Sequence, residues 1–235
     1  MMNMQNENFI TENNFEVLFP NYILEVQTNF KYNKEIYNIL QKLKKQHKNM
    51  SQTPDTIEGE EGHYQTIGGY QTTLEKSLTE YNSTDKGITK KDEEVLKSLQ
   101  KNVFDYAAIK YIEKCQFNFT RGKELLYKNW FVEYNKNSFQ EIHTHGFTLF
   151  TMVYFVKVPK QLKYIGSQPK RKEGSLVITD TKTLNAGLGT KYITPEKGKI
   201  VVFPGDYPHY TLPVVSDDTR AVIVEDIFVK EQDLQ

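Results

Sequence analysis

His143-Thr144-His145 places two imidazoles two residues apart just ahead of an apolar run, and His209 follows the turn Pro204-Gly205-Asp206. These are three of the chain's five histidines. Side chains at i and i+2 of an extended segment point to one face, so His143 and His145 can converge where Thr144 is extended. Three imidazoles from two strand mouths form a donor set for a first-row metal and leave coordination positions open for small ligands. Imidazole serves iron, zinc, copper and nickel alike, so donor type does not choose the metal. A His-x-His pair alone is a weak signal, because on a strand it also serves as two exposed or core histidines.

Positioning such a set needs a rigid scaffold, and the second half of the chain reads as one. After Gly122 the segments Leu125–Asn135, Phe147–Val158, Gly174–Asp180, Gly198–Pro204, Tyr210–Val215 and Thr219–Val229 are rich in β-branched and aromatic residues. Turn residues separate them, at Asn135–Ser138, Gly166-Ser167, Gly187–Gly189, Pro204–Asp206 and Ser216–Asp218. Several short strands with such punctuation predict a sandwich or barrel. Ahead of it, Ile36, Ile39, Leu40 and Leu43 form a stripe at helical spacing, with Asn33 as the expected N-cap. A second helix is expected over Thr89–Cys115, through Val95, Leu99 and Val103. His47, at the basic end of the first helix, reads as a surface residue; Met50–Gly62 reads as a polar loop, and His63, which opens the loop or short extended piece His63–Thr73, as exposed. Phe15–Thr28 reads as extended, broken by Pro20. The fold class is therefore α+β, with helices covering a β-sandwich.

Composition narrows the function. The 235 residues include 30 Lys+Arg and 30 Asp+Glu, so no net basic field exists to attract a nucleic-acid strand. The basic run in Pro169–Gly174 reads as a solvated loop. A single cysteine, Cys115, permits no intramolecular disulfide, which suits a reducing compartment, and it reads as a small buried hydrophobe. The N-terminus lacks a secretory pattern, and no apolar run is long enough for a membrane span. The expectation is a soluble, cytoplasmic protein with no membrane partner. Residues 1–12 are expected to be disordered, and 13–235 to form one domain with a helical cover over about 30–115 and a β core over about 123–230.

Several stretches resemble the 2-oxoglutarate/Fe(II)-dependent dioxygenases, in particular a phage and bacterial branch related to prolyl hydroxylases. They are "WFVEYNKNSFQEIHTHG" (Trp130–Gly146), "FTMVYFVKVP" (Phe150–Pro159), "GSLVITD" (Gly174–Asp180), "ITPEKGKIVVFPGDYPHYTLPV" (Ile193–Val214) and "TRAVIVEDIF" (Thr219–Phe228). Near the front, "VLFPNYILEV" (Val17–Val26) and "GGYQT" (Gly68–Thr72) also resemble that branch. The resemblance implies a double-stranded β-helix, or jelly roll, covered by N-terminal helices. It implies Fe(II) and 2-oxoglutarate as cofactors, O₂ as a reactant, and a small-molecule or peptidyl substrate. By its pattern His143 is the proximal metal ligand, His209 the distal one, and Arg220 the partner of the cosubstrate's far carboxylate. A planar guanidinium suits that role, since its fork grips a carboxylate through two hydrogen bonds.

Two positions depart from the family pattern. The residue two after the first histidine is usually Asp or Glu, and here it is His145. Either His145 is the third ligand, or it points away and Glu141, Asp206 or water completes the shell. Two residues after Arg220, where the family often has Ser or Thr, stands Val222; Tyr134, Thr151 or Tyr154 are candidates for the missing hydroxyl beside the cosubstrate. Trp130 and Tyr154 also read as core packing. Two functional readings follow. One is an oxygenase that hydroxylates a substrate with release of succinate and CO₂. The other is a metal-binding or non-catalytic cupin-like β-sandwich, an interaction protein, which the departure at His145 favours.

Overall fold

The computed structural model describes residues 22–47, 66–72, 77–115, 124–179 and 189–230. The expectations for residues 1–12, the Met50–Gly62 loop and His63 lie outside the described residues. Eleven strands appear among the described residues: β1 (Leu24–Gln27), β2 (Thr66–Ile67), β3 (Tyr70–Thr72), β4 (Glu124–Tyr134), β5 (Phe139–His143), β6 (Phe150–Lys157), β7 (Leu176–Thr179), β8 (Thr190–Ile193), β9 (Lys199–Pro204), β10 (His209–Thr211) and β11 (Arg220–Lys230). They form two antiparallel sheets. The larger has the order β1-β9-β6-β11-β4-β3 and the smaller β2-β5-β10-β7-β8. This is the jelly-roll architecture expected from the resemblance, with the helices N-terminal to most of it.

Two apolar layers hold the fold. Val132, Val153, Phe155, Val201, Phe203, Val222 and Val224 of the larger sheet meet Leu176, Ile178 and Ile193 of the smaller one. The opposite face of the larger sheet, including Met152, Tyr154, Ile200, Val202 and Ile223, packs against the helices. Strands β4, β6, β9 and β11 of the larger sheet thus send alternate side chains to two different cores, as the pleat requires.

Helix α1 (Asn33–Lys44) buries the stripe Ile36, Ile39, Leu40 and Leu43 as expected. Asn33, expected as its N-cap, is instead its first helical residue, and its side chain makes no capping bond. Its Nδ2 donates to the Phe30 carbonyl while its Oδ1 accepts from the Tyr154 hydroxyl, so it ties the helix to the sheet. His47 is half-buried rather than on the surface, and a ring nitrogen lies 2.9 Å from the Tyr81 hydroxyl. Glu133, buried on β4, gathers Tyr37, Gln41 and Lys44 of α1 around its carboxylate. Among the described residues no helix is long and apolar enough to cross a membrane.

The expected second helix is three segments in one run: α2 (Lys90–Leu99), a π-helical turn over Gln100–Phe104, and α3 (Asp105–Cys115). Thr89 caps α2 in a reciprocal capping box with Asp92. Cys115 is buried, and burial pushes its thiol upward, in keeping with a small apolar role. The π-turn inserts one extra residue per turn and re-aims the side chains around it. Gln100, where it starts, donates to Glu225 of β11 at 3.2 Å, and Asn129 donates to the other oxygen at 2.9 Å.

Burial pushes the Glu225 carboxyl from its ordinary value of 4.5 up to about 7. The folded protein therefore keeps a proton there that the unfolded chain has lost. The stabilisation is present below pH 4.5 and disappears as pH rises through about 7. The loss amounts to about 3 kcal/mol. Glu225→Gln should flatten the fall in melting temperature between pH 5 and pH 8, as read by calorimetry of chelator-treated protein. An unchanged pH profile in the variant would count against a protonated Glu225.

Candidate metal centre

His209 and His143 are partners across the antiparallel pair of β10 and β5. Directly opposed residues share one face, which is how two imidazoles 66 positions apart in sequence come to lie with ring centroids 4.2 Å apart. His143 is the last residue of β5, and His145 sits in the loop that follows. The two histidines do converge, but at the end of their own strand rather than at the mouth of the next one. The His145 ring lies 5.2 Å from His143 and 4.9 Å from His209. One ligand atom from each of the three rings falls within 4.8 Å of the others.

The backbone locks these segments together. The His145 amide donates to the Gly205 carbonyl at 2.8 Å, joining the loop after β5 to the turn that leads into β10. Gly205 has room for no side chain there, since a Cβ would lie 2.3 Å from the Thr148 carbonyl oxygen. The Pro204-Gly205-Asp206 turn is therefore a packing device as well as a reversal.

Hydrogen bonds fix which nitrogen of each ring is free. Nδ1 of His143 lies 2.8 Å from the Glu141 carbonyl, and Nδ1 of His209 lies 2.9 Å from the Tyr207 carbonyl. A carbonyl only accepts, so each Nδ1 carries the proton and each Nε2 keeps its lone pair. Nδ1 of His145 lies 2.7 and 2.8 Å from the two carboxylate oxygens of Asp226, with the same consequence. Burial lowers His143 from 6.5 to about 4 and holds His209 well below the ordinary imidazole range. Both are neutral at neutral pH, with no proton to displace before a metal binds. The donor set thus suits a first-row divalent cation.

Arg220, the first residue of β11, is 1% exposed. Its Nε and Nη1 are buried with no hydrogen-bond partner among the described residues. The nearby acids are engaged elsewhere: Asp217 pairs with Lys136 and Asp218 with Lys157. Its guanidinium lies 4.6 Å from the Tyr134 ring centroid and 5.0 Å from that of Phe155. Aromatic faces recover only part of what a buried cation loses in leaving water. An anionic group supplied by a ligand would fill that deficit.

One cavity joins the cation to the histidines, since Arg220, Tyr134, Gln140, Trp130, His145 and His209 all line it. Val153, Val222 and Val224 add apolar wall. Tyr134, on β4 opposite Arg220 in register, reaches the cavity as expected and donates its hydroxyl to Gln140 at 2.9 Å. Trp130 stacks on His145 with centroids 5.5 Å apart, so it serves the site as well as the core.

Tyr154 and Thr151 fall elsewhere. The Tyr154 hydroxyl donates to Asn33 at 2.6 Å on the helix-facing side of the sheet, so this side chain belongs to the other core. Thr151 is buried and donates to Asp226 Oδ1 at 2.7 Å, one step removed from His145. Glu141 and Asp206, the alternatives for a third donor, are exposed, whereas His145 turns inward. Asp226 was missed by sequence reasoning. It lies 81 residues from His145, inside what reads as an ordinary strand, and no local spacing marks it.

A family model described as "Putative 2OG-Fe(II) oxygenase" matches residues 128–226, the span that holds all three histidines, Arg220 and Asp226. No curated protein matches significantly by sequence. Among solved structures, a prolyl-4-hydroxylase from Pseudomonas putida aligns at TM-score 0.53 and 13% identity, over 89% of this chain and 93% of that one. The non-heme alpha-ketoglutarate-dependent epimerase SnoN from nogalamycin biosynthesis aligns at TM-score 0.54 and 10% identity, over 88% of this chain and 77% of that one. HygX from Streptomyces hygroscopicus, solved with nickel, 2-oxoglutarate and hygromycin B bound, aligns at TM-score 0.50 and 10% identity, over 88% and 82%. At such identities these likenesses speak to the fold alone. On the family match, residues 128–226 of this chain are similar to the 2-oxoglutarate/Fe(II)-dependent oxygenases.

Proposed function

We propose that His143, His145 and His209 hold Fe(II) through their Nε2 atoms, that Arg220 binds the far carboxylate of 2-oxoglutarate, and that the enzyme hydroxylates a small-molecule or peptidyl substrate. Residues 13–235 act in this reading as one oxygenase domain. The observation that carries it is a single cavity lined at once by imidazoles of the cluster and by a buried guanidinium with unpaired donors. When bound, Fe(II) with 2-oxoglutarate activates O₂ to oxidise a C–H bond, with release of succinate and CO₂.

The chain's own residues do the rest. Arg220 sets the cosubstrate's position at the end of the cavity away from bulk water. Tyr134 stands in for the hydroxyl missing at Val222, with Gln140 Oε1 accepting its hydrogen bond and so orienting the phenol. Trp130, Val153, Val222 and Val224 limit the water that reaches the reacting centre.

Gly174 guards this arrangement. Its φ is +65°, and a Cβ there would lie 2.8 Å from Arg220 Cδ. Gly174→Ala should therefore cost about 1–2 kcal/mol of stability through the left-handed backbone. It should also weaken 2-oxoglutarate binding by about tenfold, a displacement of the guanidinium equivalent to 1.4 kcal/mol. Isothermal titration of 2-oxoglutarate into metal-loaded variant and parent checks both the affinity and its origin.

The function itself is tested anaerobically. Fe(II) and 2-oxoglutarate added to the metal-free protein should give the visible metal-to-ligand charge-transfer band of a chelated keto acid. A metal-loaded sample that shows no such band would contradict the proposal and favour a metal-binding module without oxygenase activity.

A further inference from the structure

We propose that Asp226 is a positioning residue for the metal, acting through His145 and supplying the negative charge that an all-histidine donor set lacks. The inference rests on the metal-site reading above. Asp226 is 5% exposed and lies at the same strand face as Val222 and Val224, towards the cavity. Both of its oxygens face Nδ1 of His145, at 2.7 and 2.8 Å. Two hydroxyls hold the carboxylate from behind: Thr151 donates to Oδ1 at 2.7 Å and Thr148 to Oδ2 at 3.3 Å. The Thr148 hydroxyl also donates to the His145 carbonyl, so ring and backbone of that histidine are fixed from one cluster.

The three histidines are not held alike. His143 and His209 give Nδ1–H to backbone carbonyls two residues earlier, which are neutral acceptors. His145 alone gives it to a carboxylate. Such a bond fixes the tautomer with Nε2 free, aims the ring, and raises the basicity of Nε2 towards a cation. Three neutral imidazoles place no negative charge around a divalent ion. Asp226 returns one unit of negative charge just outside the donor set, in a buried setting where the field is weakly screened. His145 is the donor with no strand of its own to hold it, so it is also the one that most needs a rigid partner.

The test uses Co(II) as the probe metal and the full chain. Asp226→Asn keeps the shape and an acceptor but removes the charge, and should weaken Co(II) binding by about 10–100-fold. Thr151→Val, which loosens the clamp but keeps the charge, should weaken it by less. Nitrogen-15 NMR of the metal-free parent should show His145 as the Nδ1–H tautomer, with the tautomer preference reduced in Asp226→Asn. The parent's tautomer does not depend on any variant folding, and a packing role for Asp226 would not produce it. Parent protein with His145 in the Nε2–H form, or Asp226→Asn with the parent's Co(II) affinity, overturns the inference and leaves the metal site standing. Failure of the parent itself to bind Co(II) overturns the site reading on which it rests.

Discussion

Arg220→Leu should bind 2-oxoglutarate at least about 100-fold more weakly than the parent and yet melt at a higher temperature when no ligand is present. The two effects share one cause. In the ligand-free protein the guanidinium is 1% exposed and its Nε and Nη1 have no partner among the described residues. A buried ion without its counter-ion is destabilising by several kcal/mol. The contacts with Tyr134 and Phe155 offset only about 1–2 kcal/mol of that. Leucine removes the charge and keeps the packing of the inner part of the side chain, and the space left by the shorter side chain costs less than a buried ion with no counter-ion. The same change deletes a charge-assisted pair with the cosubstrate carboxylate, a loss of about 2–5 kcal/mol in binding. Thermal melting with and without 2-oxoglutarate reads both. At 100 times the parent's dissociation constant the ligand should stabilise the parent by about 2.7 kcal/mol and the variant by about 0.4 kcal/mol at most. A variant that melts lower than the parent in both conditions would instead make Arg220 a structural residue.

His143→Ala and His209→Ala should each reduce Co(II) affinity by more than about 100-fold, beyond what the loss of a supporting contact costs. Turnover measured as succinate release should fall below detection in both. The two variants differ in stability. His209 is 3% exposed and packs against Phe203 with centroids 4.8 Å apart, so its removal leaves a cavity. His143 is only partly buried at the end of β5, and its removal should leave the metal-free melting temperature nearly unchanged. His47→Ala serves as the control, because that ring bonds Tyr81 in the helix layer. Its Co(II) affinity should equal the parent's.

The parts of this site that were legible in the sequence are those marked by a change of pattern. His209 follows a Pro-Gly-Asp turn, and Arg220 opens an apolar run, so both stand at strand ends where side chains from different segments meet. The strand segments themselves were legible from their β-branched and aromatic content. What alternation normally reports was hidden in β6. Residues 150–156 of that strand are all buried, because one face meets the smaller sheet and the other meets the helices. With both faces apolar, nothing in the sequence tells that Tyr154 looks towards the helices and Thr151 towards the sandwich. Asp226 was invisible for a related reason. Its partner is fixed by the register of β11 with β6, where it stands opposite Thr151, and register is a tertiary property. The π-turn after α2 likewise escaped, since an apolar stripe continues through it with only a small change of phase. The short strands β5 and β8 are polar enough to read as loops, and they form because neighbours pair with them.

In the proposed site, three imidazoles from two adjoining segments share one cation in a cavity that ends at Arg220. A crystal of protein grown with Fe(II) under anaerobic conditions, with diffraction recorded on both sides of the iron absorption edge, tests it most directly. One strong anomalous peak is expected about 2.1 Å from Nε2 of His143, His145 and His209, the ordinary length of a first-row metal–imidazole bond. A peak held by other residues, or none in a crystal whose solution counterpart binds no iron, would contradict it.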